Sequence, residues 1–287
     1  MIKRGIKHLS RVSDVLFRTL RIERDITVYP DDVFLTSYPR SGNTWMRFLV
    51  GNLVHEKEAV TFLNLERLLP DMYIHSDRDM RSMPHPRVIK SHECFDPRYK
   101  RVVYIVRDPR DVAVSNYHWE LKKGSFPDGF PMEQFVPRWM ASDYWPRLGC
   151  WGDHVTSWLS TRRDDPNFVL IRYEQLMAQP ERELAKIGRL LDIDPTPARL
   201  SRAIDLSSAD RMRQLEKSQG KKWLQTKYTR QDAPFVRKAS SGGWRAVLPA
   251  ESVELIESKW RSQMNELGYE LTSGARGEPF VSRSTPV

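Results

Sequence analysis

With 287 residues, 40% of them hydrophobic, and nine tryptophans, the chain can bury a sizeable core as one large α/β domain or two small ones. No apolar run approaches the length of a membrane span, and no charged start followed by an apolar stretch and a small-residue cleavage site opens the sequence. A formal net charge of +9 points to an anionic partner, and on charge alone nucleic acid, an anionic membrane face and a multiply charged small ligand all stay open.

Residues 1–30 are basic and amphipathic. Ile2, Ile6, Leu9, Leu16 and Leu20 recur near helical spacing, with Lys3, Arg4, Lys7, Arg11, Arg18 and Arg21 between them. The pattern fits a helix on an anionic membrane surface, and equally a helix docked on its own domain with a solvated basic face. Val33-Phe34-Leu35 then reads as a buried strand that breaks at Tyr38-Pro39. Arg40-Ser41-Gly42-Asn43-Thr44 follows and leads into a helix, because Trp45, Leu49 and Leu53 are spaced by four, as are Met46, Val50 and Val54. A strand, a small-residue loop with one cation, and a helix N-terminus make an anion cradle: the free N–H groups of the first turn face the ligand and the helix dipole favours negative charge. Arg40 adds a planar fork suited to phosphate or sulfate oxygens. The loop is not the Walker P-loop, whose G-x-x-x-x-G-K-S/T pattern it lacks. An ordinary strand–turn–helix capped by Ser41 or Thr44 is the alternative on the loop alone.

A polar segment, 56–86, leads to a second strand over Arg87–His92. Lys90 and His92 fall on one face at its C-terminal end, a pairing suited to general-base work beside an anion. Arg101–Val106 is the clearest buried strand. Asp108 as N-cap and Pro109 as first helical residue start the helix after it, with Arg107 at the strand end and Ser115 two turns on. Arg107 reads either as an anion ligand or as a surface ion pair with Asp111. Residues 122–150, rich in Gly, Pro and aromatics, predict a packed loop or a substrate gate. A helix over 151–163, a strand over Asn167–Tyr173 and a helix after Pro180 with Leu184, Ile187 and Leu191 on one face come next. Residues 207–236 are polar and charged. Arg237-Lys238-Ala239-Ser240-Ser241-Gly242-Gly243 reads as a phosphate clamp or as a solvated loop. The last helix, about 250–267, puts Val253, Ile256, Trp260, Met264 and Leu267 on one face, and the tail from 273 is polar. Cys94 and Cys150 have no metal-ligand spacing; they read as free thiols of a reducing, cytoplasmic compartment, the alternative being one disulfide. No repeat or linker divides residues 1–287, so one domain is expected.

Four of these stretches resemble one family. SYPRSGNTW is similar to the 5′-phosphosulfate loop of the cytosolic-type sulfotransferases, usually TYPKSGTTW. RVVYIVRDPRDVAVSNYHW is similar to their 3′-phosphate strand–turn–helix, RKASSGGWR to their RKGxxGDWK loop, and IKSHE stands where they have IKTH. The order matches, and looser similarity runs over about residues 33–268. The resemblance implies an α/β fold, a P-loop-like domain with a mostly parallel central sheet flanked by helices. It also implies transfer of a sulfuryl group from 3′-phosphoadenosine 5′-phosphosulfate to a hydroxyl or amine. By matched position, Arg40, Ser41, Gly42, Asn43 and Thr44 would hold the 5′-phosphosulfate and Trp45 would stack on adenine. Arg107, Ser115, Arg237 and Lys238 would bind the 3′-phosphate, with Ala239 in the same loop, and Tyr173 and Ser207 would contact adenine. His92 would be the general base, with Lys90 and Arg40 beside the transferring group. Three positions depart from the pattern: Arg40 replaces a Lys, Ala239 a Gly and Gly243 an Asp. The family's C-terminal dimer motif is not recognisable after Trp244, so no oligomeric state is carried over.

No metal is expected, since no paired carboxylates suited to Mg²⁺ stand out. The expected acceptor is a small or amphiphilic alcohol or phenol, in a pocket lined by Tyr117, His118, Trp119, the aromatics of 126–145 and segment 61–86. Nucleic-acid signatures are absent, and peripheral membrane contact rests on the N-terminal segment. Two competing readings make different demands. A kinase-like nucleotide phosphotransferase needs ATP and Mg²⁺. A non-enzymatic polyanion- or membrane-binding module survives loss of His92 and weakens steeply with salt.

Overall fold

The computed structural model describes residues 26–237 and 239–272. The basic N-terminal helix expected over residues 1–30 therefore falls outside the described residues up to position 25, as do Lys238 and the tail from 273.

Four strands form the sheet: β1 (Val33–Ser37), β2 (Val88–Ser91), β3 (Arg101–Val106) and β4 (Phe168–Arg172). Their order is β2-β1-β3-β4 and every pairing is parallel, so the expected mostly parallel sheet is wholly parallel among the described residues. A parallel sheet is covered on both faces, which is why these strands read as continuous apolar runs. Successive side chains serve opposite faces. Val33, Leu35, Val103, Ile105 and Ile171 face helices Asn43–Val54, Pro180–Leu190 and Pro197–Leu206. Phe34, Ile89, Val102, Tyr104 and Phe168 face the other layer, where helices Pro109–Lys123, Trp151–Arg162 and Ala250–Glu266 supply Val112, Trp151, Trp158, Ile256, Trp260 and Met264.

The local signals explain the boundaries. Asp108 accepts from the Arg110 amide at 2.9 Å and Pro109 opens the helix, as the sequence predicts. One expectation needs correction, and one helix had no signal in the sequence. The irregular stretch 122–150 contains helix Met132–Met140, whose Phe135, Val136 and Trp139 are buried at helical spacing. Its prolines hide that periodicity: Pro131 precedes the first turn and Pro137 lies inside. Polar 207–236 opens with helix Ala209–Gln219, started by Ser208 and anchored only by Met212 and Leu215, too few apolar residues to show a stripe. Cys94 and Cys150 are both free thiols.

Candidate active site

In an open parallel sheet the loops after the carboxyl ends of the strands form the natural crevice. Here each strand contributes there. Pro39, Arg40, Gly42, Asn43, Thr44 and Trp45 follow β1, Lys90 and His92 close β2, Arg107 follows β3 and Tyr173 follows β4; all line one cleft of about 1290 Å³. Ser115, Ser207, Arg237 and Ala239 line it too. Ser41 lies just beneath, fully buried. Of the site residues expected from sequence, only Lys238 lies outside the described set.

The loop after β1 is built on two left-handed residues, Arg40 (φ 71°) and Gly42 (φ 103°). Gly42 has a second reason to lack a side chain: a Cβ there would lie 2.6 Å from Tyr173 Cδ2. Asn43 fixes the loop to β1, its Nδ2 donating to Leu35 O at 3.0 Å and Ser37 Oγ at 3.2 Å. The Ser41 hydroxyl and Arg107 Nε are buried with no protein partner, and buried polar groups of this kind want a ligand oxygen. Arg40 lies between two aromatic faces, 5.1 Å from the Trp119 ring and 4.9 Å from that of Phe235, and its Nε donates to Ser115 Oγ at 3.3 Å. Burial, then the Arg107 and Arg237 charges, pull its guanidinium down to about 9.

The ion pair expected between Arg107 and Asp111 is present, but it is buried and long rather than a surface contact. The Arg107 side chain is 13% exposed, it stands 3.8 Å from Asp111, it stacks 4.2 Å over the Tyr173 ring, and it donates to Ser240 O at 3.0 Å. Asp111 also accepts from the amides of Gly242 (2.7 Å) and Trp244 (3.1 Å), tying the late loop to the helix after β3. Sequence reasoning saw Asp111 only as a partner for Arg107. The loop signal, glycines a hundred residues away, could not be joined to it without the fold. Gly243 replaces the usual Asp next to this carboxylate: a Cβ added there would be 3.9 Å from Asp111 Oδ1, so an acid would face an acid. Ala239 takes φ 49°, a left-handed conformation that costs a non-glycine residue on the order of 1 kcal/mol. Trp45 Nε1 donates to Ser207 O at 3.0 Å, and its ring meets Tyr173 edge-on at 5.5 Å, so the three expected adenine contacts form one wall.

At the other end, His92 Nδ1 donates to Ser37 O at 2.6 Å. A neutral imidazole held this way leaves Nε2 as a bare acceptor. Burial first, and Lys90 second, hold the ring well below its ordinary pKa, so it is neutral near pH 7. His154 supports the same backbone: its Nε2 donates to His92 O at 3.0 Å while Nδ1 accepts from Tyr104 at 2.9 Å. Lys90 Nζ pairs with Asp71 at 2.9 Å. Gln225 donates to the same carboxylate oxygen at 3.0 Å, and Tyr73 receives the His92 amide at 2.9 Å. Asp71, Tyr73 and Gln225 thus belong to the reactive end, although the sequence offers no motif around them.

The expected acceptor wall is only partly present. Trp119, Tyr144, Trp145, Asp71, Tyr73 and Ile74 line the cleft. Tyr117 instead donates to Phe130 O and packs on Phe126 and Phe135, which serve the core with Trp139.

Residues 30–268 match the family described as sulfotransferase domain. Sulfotransferase 1B1 of Mus musculus is 27% identical over 252 residues, spanning 82% of this chain and 83% of that protein. Sulfotransferase 1E1 of Rattus norvegicus is 25% identical over 252 residues, spanning 83% and 84%. Among solved structures, retinol dehydratase in complex with androsterone and the inactive cofactor PAP is similar with a TM-score of 0.70 at 19% identity, over 87% of this chain and 85% of that one. Mouse sulfotransferase SULT7A1 complexed with PAP gives 0.66 at 21% identity, over 84% and 86%. At these identities the structural likeness is one of fold.

Proposed function

The chain belongs to the sulfotransferase domain family and is a 3′-phosphoadenosine 5′-phosphosulfate-dependent sulfotransferase, and from that premise we propose that it sulfates a small or amphiphilic alcohol or phenol by in-line transfer with His92 as general base. The observation that carries the proposal is the bare Nε2 of a neutral His92, fixed by the Ser37 carbonyl in the cleft that the phosphate loop also lines.

Each residue then has a task. The amides of the loop from Ser41 to Thr44 and the Ser41 hydroxyl bind the 5′-phosphosulfate. Arg107, Ser115, Arg237 and Lys238 take the 3′-phosphate, and Ala239 lends its backbone. Trp45, Tyr173 and Ser207 flank adenine. The acceptor hydroxyl attacks sulfur as the S–O bond to the 5′-phosphate breaks, and His92 Nε2 takes the hydroxyl proton. Lys90 and Arg40 balance charge on the sulfuryl and leaving oxygens, so no step requires a metal. Among the described residues, Asp31, Asp32 and His85 could hold a metal ion, but they stand at the opposite end of β1, with Asp32 paired to Arg87. For the acceptor, support comes from the aromatic and aliphatic stretch Tyr144–Leu148 beside the polar His92 end. The retinol and androsterone seen in retinol dehydratase complexes are apolar bodies with a polar terminus, and they fit the same description.

Calorimetric titration with 3′-phosphoadenosine 5′-phosphate, beside ADP and AMP without metal, tests the donor site. Tight binding of the bisphosphate alone is expected; equal or absent binding overturns the donor assignment. Labelled donor and a panel of hydroxyl compounds then test the acceptor class, and sulfation restricted to amines or polysaccharides overturns it.

A further inference from the structure

The turn that follows helix Ala209–Gln219 combines charge and apolar exposure in a way the reaction does not use. From Lys217 to Gln231 there are five cations and no acidic residue. Arg230 is taken up by Asp128 and Asp232. Lys217, Lys221, Lys222 and Lys227 make no ion pair among the described residues. In the same turn Tyr228 is 77% and Leu224 42% exposed, and Leu63, next to the buried Phe62 that packs 4.5 Å from Trp223, is 54% exposed. The turn is well fixed. Trp223 is buried against Phe62 and Phe235, Thr226 Oγ1 donates to Gly220 O at 2.6 Å, and Lys122 Nζ holds Arg230 O at 2.6 Å. A solvated lysine turn needs no tyrosine left 77% exposed on a rigid base.

Lysines without an ion pair, Lys227 among them 4.6 Å over the Tyr228 ring, beside an exposed tyrosine and aliphatic side chains match the composition of a lipid interface: lysine for the headgroups, tyrosine for their depth, leucine for the acyl boundary. Nucleic acid would use the cations and the aromatic ring, but it gives the leucines nothing to bury against. The turn also reaches the reactive end of the cleft. Leu224 and Gln225 line the cleft, and Gln225 bonds the Asp71 carboxylate that pairs with Lys90.

We propose that the turn Lys217–Gln231 is a docking surface for an anionic lipid face, and that it sets the acceptor end of the cleft against that face so that amphiphilic alcohols enter from it. The second half rests on the acceptor class given above; the first does not.

Co-sedimentation of the full chain with vesicles of phosphatidylcholine, with and without phosphatidylglycerol, tests the docking. The wild type is expected to bind the anionic vesicles and not the neutral ones. Each lysine near an anionic leaflet is worth roughly five-fold, so Lys221→Ala with Lys222→Ala is expected to weaken binding on the order of 20-fold. Tyr228→Ser is expected to weaken it several-fold at constant charge. None of the three residues lines the cleft, so calorimetric binding of 3′-phosphoadenosine 5′-phosphate should be unchanged in each variant, which also certifies the fold. Three outcomes overturn the proposal: no binding of the wild type to anionic vesicles; wild-type binding by the double lysine variant, which would assign docking elsewhere in the chain; or loss on lysine removal with no effect of Tyr228→Ser and equal loss on single-stranded RNA, which would make the turn a general polyanion site. Failure to bind the bisphosphate in the wild type would strike the donor assignment and leave the docking result standing.

Discussion

Gly42→Ala should damage the donor site through two separable physical effects. The first is backbone: φ is 103°, and a left-handed conformation costs an L-residue about 1–2 kcal/mol. The second is overlap: the added methyl would meet Tyr173 Cδ2 at 2.6 Å and Cε2 at 2.9 Å, about an ångström inside contact, and such overpacking costs roughly 1–3 kcal/mol. The total is about 2–5 kcal/mol. At roughly 2–4 °C per kcal/mol for a large domain, the thermal midpoint should fall by several degrees at least. Tyr173 has little freedom to move away, because it carries Arg107 at 4.2 Å on one face and Trp45 edge-on at 5.5 Å. Any shift therefore disturbs two donor-site residues, and loss of the cation–π contact alone, roughly 0.5–2 kcal/mol, should weaken bisphosphate binding about 2- to 30-fold. The assay pairs thermal unfolding with calorimetry. Gly124→Ala is the control: its φ is 75°, but a Cβ there meets nothing within 4 Å, so it should show the backbone part alone and bind ligand normally. If the two variants lose the same stability, or Gly42→Ala binds bisphosphate like the wild type, the claimed close approach of Tyr173 is wrong.

His92→Gln should lower turnover about 10²- to 10⁴-fold while leaving bisphosphate affinity unchanged; equal loss in both, measured by initial rates and calorimetry, would remove His92 from proton transfer. Because the His92 pKa is held well below 6.5, turnover should stay flat from pH 8 down through the ordinary histidine range and fall only well below it; an acid limb at 6.5 or above contradicts the burial assigned to it. Stability has the same sign. His154 is held at about 4 by burial, so the unfolded chain binds its proton first, and stability is complete above 6.5 and lost as pH falls toward 4. His154 alone should cost about 2 kcal/mol between pH 7.5 and pH 5, read as a lower urea midpoint that His154→Gln no longer shows as a function of pH. Arg107→Met should weaken bisphosphate binding about 10- to 100-fold, the worth of its charge-assisted hydrogen bonds, with smaller effect on turnover at saturating donor; unchanged affinity would return Arg107 to a purely structural role.

What could be read ahead of the structure divides by how local the physics is. The strand–turn–helix of residues 33–54, the Asp108-Pro109 start and the final amphipathic helix are set by neighbours in the chain, and they lie where periodicity and capping put them. Boundaries are less legible than faces: the helix from Pro180 ends at Leu190, yet Leu191, its C-cap, packs on the same cluster as Leu184 and Ile187. Acceptor-side details are long-range. Asp71 belongs to the reactive end only because it pairs with Lys90 and Gln225, from β2 and from a turn 154 residues away. The aromatics of 126–139 read equally as a packed loop or a gate because composition does not distinguish a wall from a core; the helix that buries Phe135 and Trp139 does.

On the proposed assignment, the distribution of carboxylates suits one end of the cleft to an anion and the other to a neutral hydroxyl. Arg40, Arg107 and Arg237 crowd one another, and Arg40 and Arg237 are each pulled down by burial and by neighbouring charge. An ion pair would relieve them, but a carboxylate there would also repel a phosphate. The fold uses aromatic faces instead: Trp119 and Phe235 for Arg40, Tyr173 for Arg107. Asp111, 3.8 Å from Arg107, is also taken up by two backbone amides of the late loop, so little of its charge is left to oppose an anion. Lys90 is treated differently: burial pulls its pKa down, and Asp71 at 2.9 Å opposes that shift. That pair is nearly neutral as a unit, and the neutral His92 stands beside it. In the proposed reaction, positive charge would then attract the donor's phosphates, whereas the acceptor would meet His92, a balanced ion pair and apolar walls. An acceptor bearing its own anion next to the reacting hydroxyl would gain little at that end, so an uncharged alcohol is what the electrostatics favour.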